Sequence, residues 1–241
     1  MAGYLKTGLV ALIVLGACED TTSGTATRGG KLRLALPMAA PEQISVSGKE
    51  VVIAGPHGFC IDPTETKDRA KSAFVVLGSC AAISNIPIRP RPQIPAILMV
   101  TVSGETDSAP IATSMEALAA FFKSDAGRAA LSRDGKAQTV EVIETLGRND
   151  AFYIHARDSS TDTLVGAGDE YWRALFNVKG RIVSASVVGL KEQPISTSEG
   201  FDTLGVFTDR IKSENARDSG APAEKKPALP FLKRLFNKDP I

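Results

Sequence analysis

The chain has 241 residues, with 28 Lys plus Arg against 27 Asp plus Glu, a formal net charge of +1, and 43% hydrophobic and 23% charged residues. That is the composition of a globular chain long enough to bury about 70% of its unfolded surface without a staple or partner to complete its core. A charge so near zero leaves no basic footprint for nucleic acid, and no apolar run approaches the roughly 20 residues of a spanning helix, which excludes polytopic transport.

The amino-terminal stretch MAGYLKTGLVALIVLGAC carries one positive charge, Lys6, then an apolar run from Gly8 to Ala17 and small residues ahead of Cys18. It reads as a secretory signal, too short to be a membrane span. Leu15, Gly16, Ala17 and Cys18 resemble the lipobox of bacterial lipoproteins. The resemblance implies removal of residues 1–17 as a lipoprotein signal peptide, followed by acylation of the Cys18 thiol and amine. Each buried methylene contributes about 0.8 kcal/mol, so two or three chains (palmitate among them) hold a protein at a membrane. The alternatives are an unlipidated signal with a chance cysteine, or an uncleaved signal anchor. Cleavage removes Lys6 alone among the charged groups and leaves 27 cations against 27 anions. The expected address is the cell envelope, facing the periplasm. Glu19 rather than aspartate directly after Cys18 favours the outer over the inner membrane of a Gram-negative cell.

After export Cys60 and Cys80 remain, in a compartment that permits disulfides. Closing a loop of about 20 residues stabilises by roughly 3 kcal/mol in the chain-entropy model. Two buried free thiols, or a metal pair without further ligands, are the alternatives.

Residues 18–44 read as a flexible tether, polar and glycine-containing through Gly30, with a possible first strand over Lys31–Met38. VVIAGPHGFCID predicts strand, turn, strand about Gly55, Pro56, His57 and Gly58. Asp62, Pro63, Thr64 and Glu65 carry a helix-start pattern that predicts a short helix to about Lys71. AFVVLGSCAA follows as a buried strand, then the proline-rich NIPIRPRPQIP as an extended surface connection, then the strand AILMVTVSG. A second capping box, Thr113 with Glu116, precedes Met115, Leu118, Ala119 and Phe122 at helical spacing. A turn or short helix over Asp125–Leu131 leads to strands at Thr139–Leu146, Ala151–Ala156 and Tyr171–Val178. The two-residue connection Lys179-Gly180 joins the last to Arg181–Gly189 as a tight hairpin. Ser196 with Glu199 caps a final helix whose Phe201, Leu204, Phe207 and Ile211 share a face. Residues 216–241 read as a disordered linker and a short amphipathic tail, with Phe231, Leu232, Leu235 and Phe236 on one side and Lys233, Arg234 and Lys238 on the other.

This order predicts an α+β domain over residues 45–215, a mainly antiparallel sheet with packed helices. The pattern YWRALFNVKGRIVSASVVG followed by an amphipathic helix resembles the C-terminal part of PsbP-like α/β sandwiches, and the chain resembles proteobacterial envelope lipoproteins generally. Neither resemblance brings catalytic residues with it.

No GxSxG elbow, GxxxxGK[ST] loop, HExxH pair or CxxC pair occurs in the sequence. Only two histidines exist. His57 sits in a glycine and proline turn beside the expected bridge, and His155 lies in a strand on the same face as Tyr153. Asp62, Glu65 and Asp68 lie three apart and could line one helical face for a metal, although helix capping and the helix dipole already explain the first two; Asp162, Asp169 and Glu170 flank a glycine-containing loop and could bind calcium but lack EF-hand spacing. Arg89 and Arg91 form a stiff basic edge between prolines, and Trp172 with Phe176 marks a core face that also offers a ligand-contacting indole. The expectation is therefore a non-enzymatic envelope lipoprotein with no cofactor or metal. Its disulfide-stapled domain binds an envelope protein through some of His57, Arg89, Arg91, Trp172 and the tail residues. The alternative is an anchored small-ligand binder or enzyme using the His57 turn.

Overall fold

The computed structural model describes residues 39–160 and 166–218. The signal segment, Cys18, the expected strand at Lys31–Met38, Asp162 and the tail residues Phe231, Leu232, Leu235 and Phe236 lie outside the described residues.

Two short strands come first, β1 (Gln43–Val46) and β2 (Val51–Ala54), paired antiparallel as a separate two-stranded sheet. They are followed by β3 (Phe59–Ile61), β4 (Lys67–Arg69), β5 (Ser72–Ser79), the single-turn helix α1 (Cys80–Ser84) and β6 (Ala96–Glu105). Next are α2 (Met115–Lys123), α3 (Asp125–Leu131), β7 (Val140–Arg148), β8 (Ala151–Asp158), β9 (Ala167–Val178), β10 (Arg181–Leu190) and α4 (Thr197–Asp218). β3 to β10 form one eight-stranded sheet in the order β3-β5-β6-β10-β9-β8-β7, with β4 also on β5, and every pairing is antiparallel. The fold is α+β with a mainly antiparallel sheet.

Strand alternation divides the sheet's side chains between two cores. One face presents Val75, Leu77, Leu98, Val100, Tyr153, Trp172, Phe176 and Val187 to Leu204, Phe207 and Ile211 of α4 and to the β1–β2 pair. The other presents Phe152, Ile154, Tyr171 and Val188 to Phe122 of α2 and Leu131 of α3. Burial on both faces is why successive residues such as Tyr171 and Trp172 of β9, and Val187 and Val188 of β10, are both buried and apolar. The β9–β10 connection has φ +46° at Lys179 and +72° at Gly180, the pair of positive values that a type I′ hairpin turn needs. Asn149 and Asp150 do the same between β7 and β8, with φ of +49° and +58°.

α4 begins with a reciprocal cap: Ser196 N donates to Glu199 Oε2 at 2.8 Å and Glu199 N donates to Ser196 Oγ at 3.3 Å. Near its other end Asn215 behaves like a strand partner. Its Nδ2 donates to Val52 O at 2.7 Å and its Oδ1 accepts from Val52 N at 2.9 Å, tying α4 to β2.

Several expectations are corrected. Residues 62–71 form no helix: Asp62 Oδ1 accepts from Thr64 N at 2.9 Å in an Asx turn, and the chain enters β4 instead. Asp62, Glu65 and Asp68 therefore share no helical face, and Asp68 Oδ1 accepts from Ser47 N at 2.8 Å. The expected strand, turn, strand about Gly55–Gly58 is present as β2 and β3, and there the chain passes from the small sheet to the large one. The apolar run ending in Ser79-Cys80-Ala81 leaves the strand at Ser79, and Cys80 opens α1. α2 forms without the Thr113 cap, since Thr113 lies in a preceding 3₁₀ turn and donates its hydroxyl to Pro110 O at 3.0 Å.

Candidate functional site

The Gly55–Gly58 turn is fixed from several directions. Phe59 N donates to Pro56 O at 3.0 Å within the turn, and Cys80 N donates to Gly58 O at 2.9 Å. One residue on, Cys60 and Cys80 are joined by a disulfide with their Cα atoms 4.7 Å apart. Of the alternatives for these two cysteines, the bridge is the one present. Gly58 has φ +87°, and a Cβ there would sit 2.4 Å from the Arg91 carbonyl, so the proline-rich connection packs directly on the turn.

Arg89 reaches into this arrangement rather than standing at a free basic edge. Its guanidinium donates to Ala40 O at 3.3 Å, lies 3.7 Å from Glu42 and 3.8 Å from Cys60 Sγ. It clips the residues ahead of β1 to the stapled turn. Arg91 remains exposed.

Between this turn and α4 lies a cavity of about 250 Å³. Phe59, Ile94 and Val206 contribute to its apolar lining, and His57, Gln93, Asp202 and Thr203 are its polar groups. His57 is exposed, and Val206 is 57% exposed although it is a large aliphatic side chain on a folded helix. Within α4, Asp202 and Val206 stand one turn apart and so share a side of the helix. The sequence singled out His57 here. It gave no sign of Val206, whose exposure depends on where α4 lands.

A second cluster surrounds Trp172. His155 is directly opposite Trp172 across β8 and β9, and the two rings stack with centroids 4.5 Å apart and planes within 8°. His155 Nε2 is 2.8 Å from Glu170 Oε1, and Arg157 donates to Glu170 Oε2 and to Glu141 Oε2, each at 3.0 Å. Burial, the largest single influence on the Glu170 carboxyl, works to raise its pKa. The bonds from His155 and Arg157 together outweigh it and hold the carboxyl below its ordinary value. Both carboxylate oxygens are engaged, so Glu170 locks the stack and presents no free base. Trp172 Nε1 donates to Thr197 O at 3.0 Å and the residue is 4% exposed. Trp172 is thus a core residue, as the strand pattern implied, with its one polar side-chain atom engaged. A 320 Å³ cavity opens beside this cluster, lined in part by Arg157, Asp169, Glu170 and Lys191. Among the described residues no group of three or more His, Cys, Asp or Glu side chains is placed to hold a metal ion. Likewise, no described helix is long and apolar enough to cross a membrane.

No protein-family model matches the chain, and no curated protein does. Among solved structures it is similar to the solution structure of cyanobacterial PsbP (CyanoP) from Synechocystis sp. PCC 6803. The identity is 15% and the TM-score 0.36, over 74% of this chain and 93% of that one. A likeness at that level carries no functional inference.

Proposed function

We propose that the protein is a lipoprotein of the cell envelope, anchored by acylation of Cys18, whose disulfide-stapled domain is a binding module facing the periplasm. The observation that carries the reading is the pairing of a lipobox-like Leu15-Gly16-Ala17-Cys18 with the Cys60–Cys80 bridge downstream of it. Disulfides persist in oxidising compartments, and the leader accounts for arrival in one. Glu19 after the acylated cysteine supports the outer membrane over the inner.

The volume of the cleft beside His57, about 250 Å³, is at the small end of ligand pockets, which run to ~300–1,000 Å³. It suits one or two anchoring side chains of an envelope partner, with His57, Asp202 and Thr203 fixing orientation. The convergence of those three polar groups on one cavity favours a second reading, an anchored small-ligand binder or enzyme using the same turn.

Intact mass of the membrane-fraction protein, compared with a Cys18→Ser variant, tests the anchor. The expected result is a mature chain beginning at Cys18, heavier by its acyl groups, with Cys60 and Cys80 alkylated only after reduction. An unacylated chain with two free thiols overturns the reading. Activity that is lost on His57→Ala would favour the enzyme alternative.

A further inference from the structure

We infer that the cleft between the His57 turn and α4 is the docking site of this chain's own segment 230–238. The inference rests on the reading of that cleft as a receptor for protein side chains, and it names the occupant.

The cleft is built as a receptor. Its turn is held by the Cys60–Cys80 bridge and by the Gly58–Cys80 hydrogen bond, so little order has to be imposed on binding. Its apolar lining ends at Val206, 57% exposed. Along α4 the exposed residues Glu199, Asp202, Val206 and Asp209 recur at intervals of three and four and form one stripe. From Thr197 to Ile211 the charged residues are those three carboxylates and Arg210, an acidic surface around one aliphatic contact.

The segment PFLKRLFNK has the complementary chemistry. Phe231, Leu232, Leu235 and Phe236 occupy one side at helical spacing, and Lys233, Arg234 and Lys238 supply three positive charges. An amphipathic segment of this kind seats its apolar face in a groove and pairs its charges at the rim. The reach is sufficient. Val206 lies 12 residues before the end of α4, about 18 Å at 1.5 Å per residue. The 12 residues 219–230 span up to about 40 Å when extended. Such a tether holds the segment at an effective concentration of order millimolar, so even a weak complementarity fills the cleft.

The test uses full-length protein in its native membrane with the photo-crosslinker p-benzoylphenylalanine in place of Val206. The same probe in place of exposed Thr101, on the opposite face of the sheet, serves as control. Mass spectrometry should find the Val206 probe joined to residues 230–238 of the same chain. Joint substitution Phe231→Asp and Phe236→Asp should lower that yield at least about tenfold, the loss expected for one large buried apolar anchor. The Thr101 probe should give no such product. Attachment of the Val206 probe to lipid, or to a different protein at a yield unchanged by the tail substitutions, overturns self-docking. In the second case the binding reading survives, and if the probe captures neither the tail nor any protein, both fail. The substitutions lie beyond α4, and an unchanged urea midpoint confirms that the domain itself is intact.

Discussion

The imidazole of His155 lies flat on the indole of Trp172, rings 4.5 Å apart at the centroids, while its Nε2 meets the Glu170 carboxylate at 2.8 Å. Trp172 is the single tryptophan of the chain, so tryptophan fluorescence reports the surroundings of this one indole. His155→Leu keeps the apolar volume but removes the ring pairing and the partner of Glu170. Aromatic pairing is worth about 0.5–1.5 kcal/mol and a hydrogen bond to a charged group about 1.5–3 kcal/mol, so a loss of about 2–4 kcal/mol is expected. Urea unfolding followed at Trp172 measures it. A change under about 0.5 kcal/mol would mean the stack is incidental, since that is the scatter of ordinary surface substitutions.

Asp158 has no solvent-exposed side-chain surface, yet its Oδ2 accepts from Arg133 N at 2.7 Å and its Oδ1 from Ser160 N at 3.0 Å. Burial is the strongest single influence and opposes ionisation, but the amides together win and the carboxyl stays below its ordinary value. A depressed folded-state pKa stabilises the fold above the unfolded value, about 3.9 for aspartate, and that contribution is lost as pH falls below it. Stability should therefore decline steeply below about pH 4. Asp158→Asn, less stable at pH 7, should show a shallower decline over the same interval. Parallel stability curves for the two proteins from pH 7 down to pH 2.5 would remove Asp158 from the account of acid unfolding.

Much of this architecture was legible from periodicity. The β9–β10 hairpin follows from two apolar runs joined by Lys179-Gly180, and α4 follows from the Ser196–Glu199 cap with apolar residues three and four apart. Failures came where a local signal had two structural outcomes. An aspartate before proline and threonine satisfies backbone amides in an Asx turn as well as at a helix start, and at Asp62 the pairing of β4 with β5 decided for the turn. Long-range features left no local trace. The His155–Trp172 stack depends on the register of β8 against β9, and the α4 cleft depends on Asn215 pairing with Val52, 163 residues away. Of the cleft, the sequence marked His57 and the two cysteines and was silent on Val206.

Arg181 and its acidic partners are unequal. The arginine side chain is 6% exposed, whereas Glu50 and Glu105, at 2.8 Å and 3.4 Å from it, are 55% and 74% exposed. Its NH1 also donates to Lys71 O and Ser103 O, each at 3.2 Å. Removing Glu50 with Glu50→Gln breaks a pair that water partly screens and should cost under about 1 kcal/mol. Arg181→Ala removes the donor shared by the Lys71 and Ser103 carbonyls and empties the space of a buried side chain, so about 2–4 kcal/mol is expected. Chemical denaturation of the two variants would expose an error if the costs came out equal.

The disulfide closes a 20-residue interval that contains the end of β3 and all of β4 and β5. Replacing both cysteines by serine frees the unfolded chain and should lower stability by about 3 kcal/mol, chiefly through that ensemble. It should also raise amide hydrogen exchange at Gly58 and Phe59, whose turn the bridge anchors. Unchanged exchange there, with lowered stability, would separate the bridge's global effect from any role in shaping the cleft.

Gly58 and Gly48 provide the sharper test of how the cleft is held. Both have positive φ, +87° and +76°, so an alanine at either carries a similar backbone penalty of about 1 kcal/mol. Their surroundings differ. A Cβ at Gly48 meets nothing within 4 Å, whereas one at Gly58 falls 2.4 Å from the Arg91 carbonyl, where backbone rather than a mobile side chain must give way. Gly48→Ala should therefore cost about 1 kcal/mol, and Gly58→Ala should cost about 1–3 kcal/mol more from overpacking. The excess measures how firmly the proline-rich connection is pressed against the His57 turn. Because Gln93 and Ile94 of that connection line the cleft, the same substitution should widen it and lower the yield of the Val206 crosslink. Equal costs for the two alanines would show that the connection yields freely and that the cleft is not preformed.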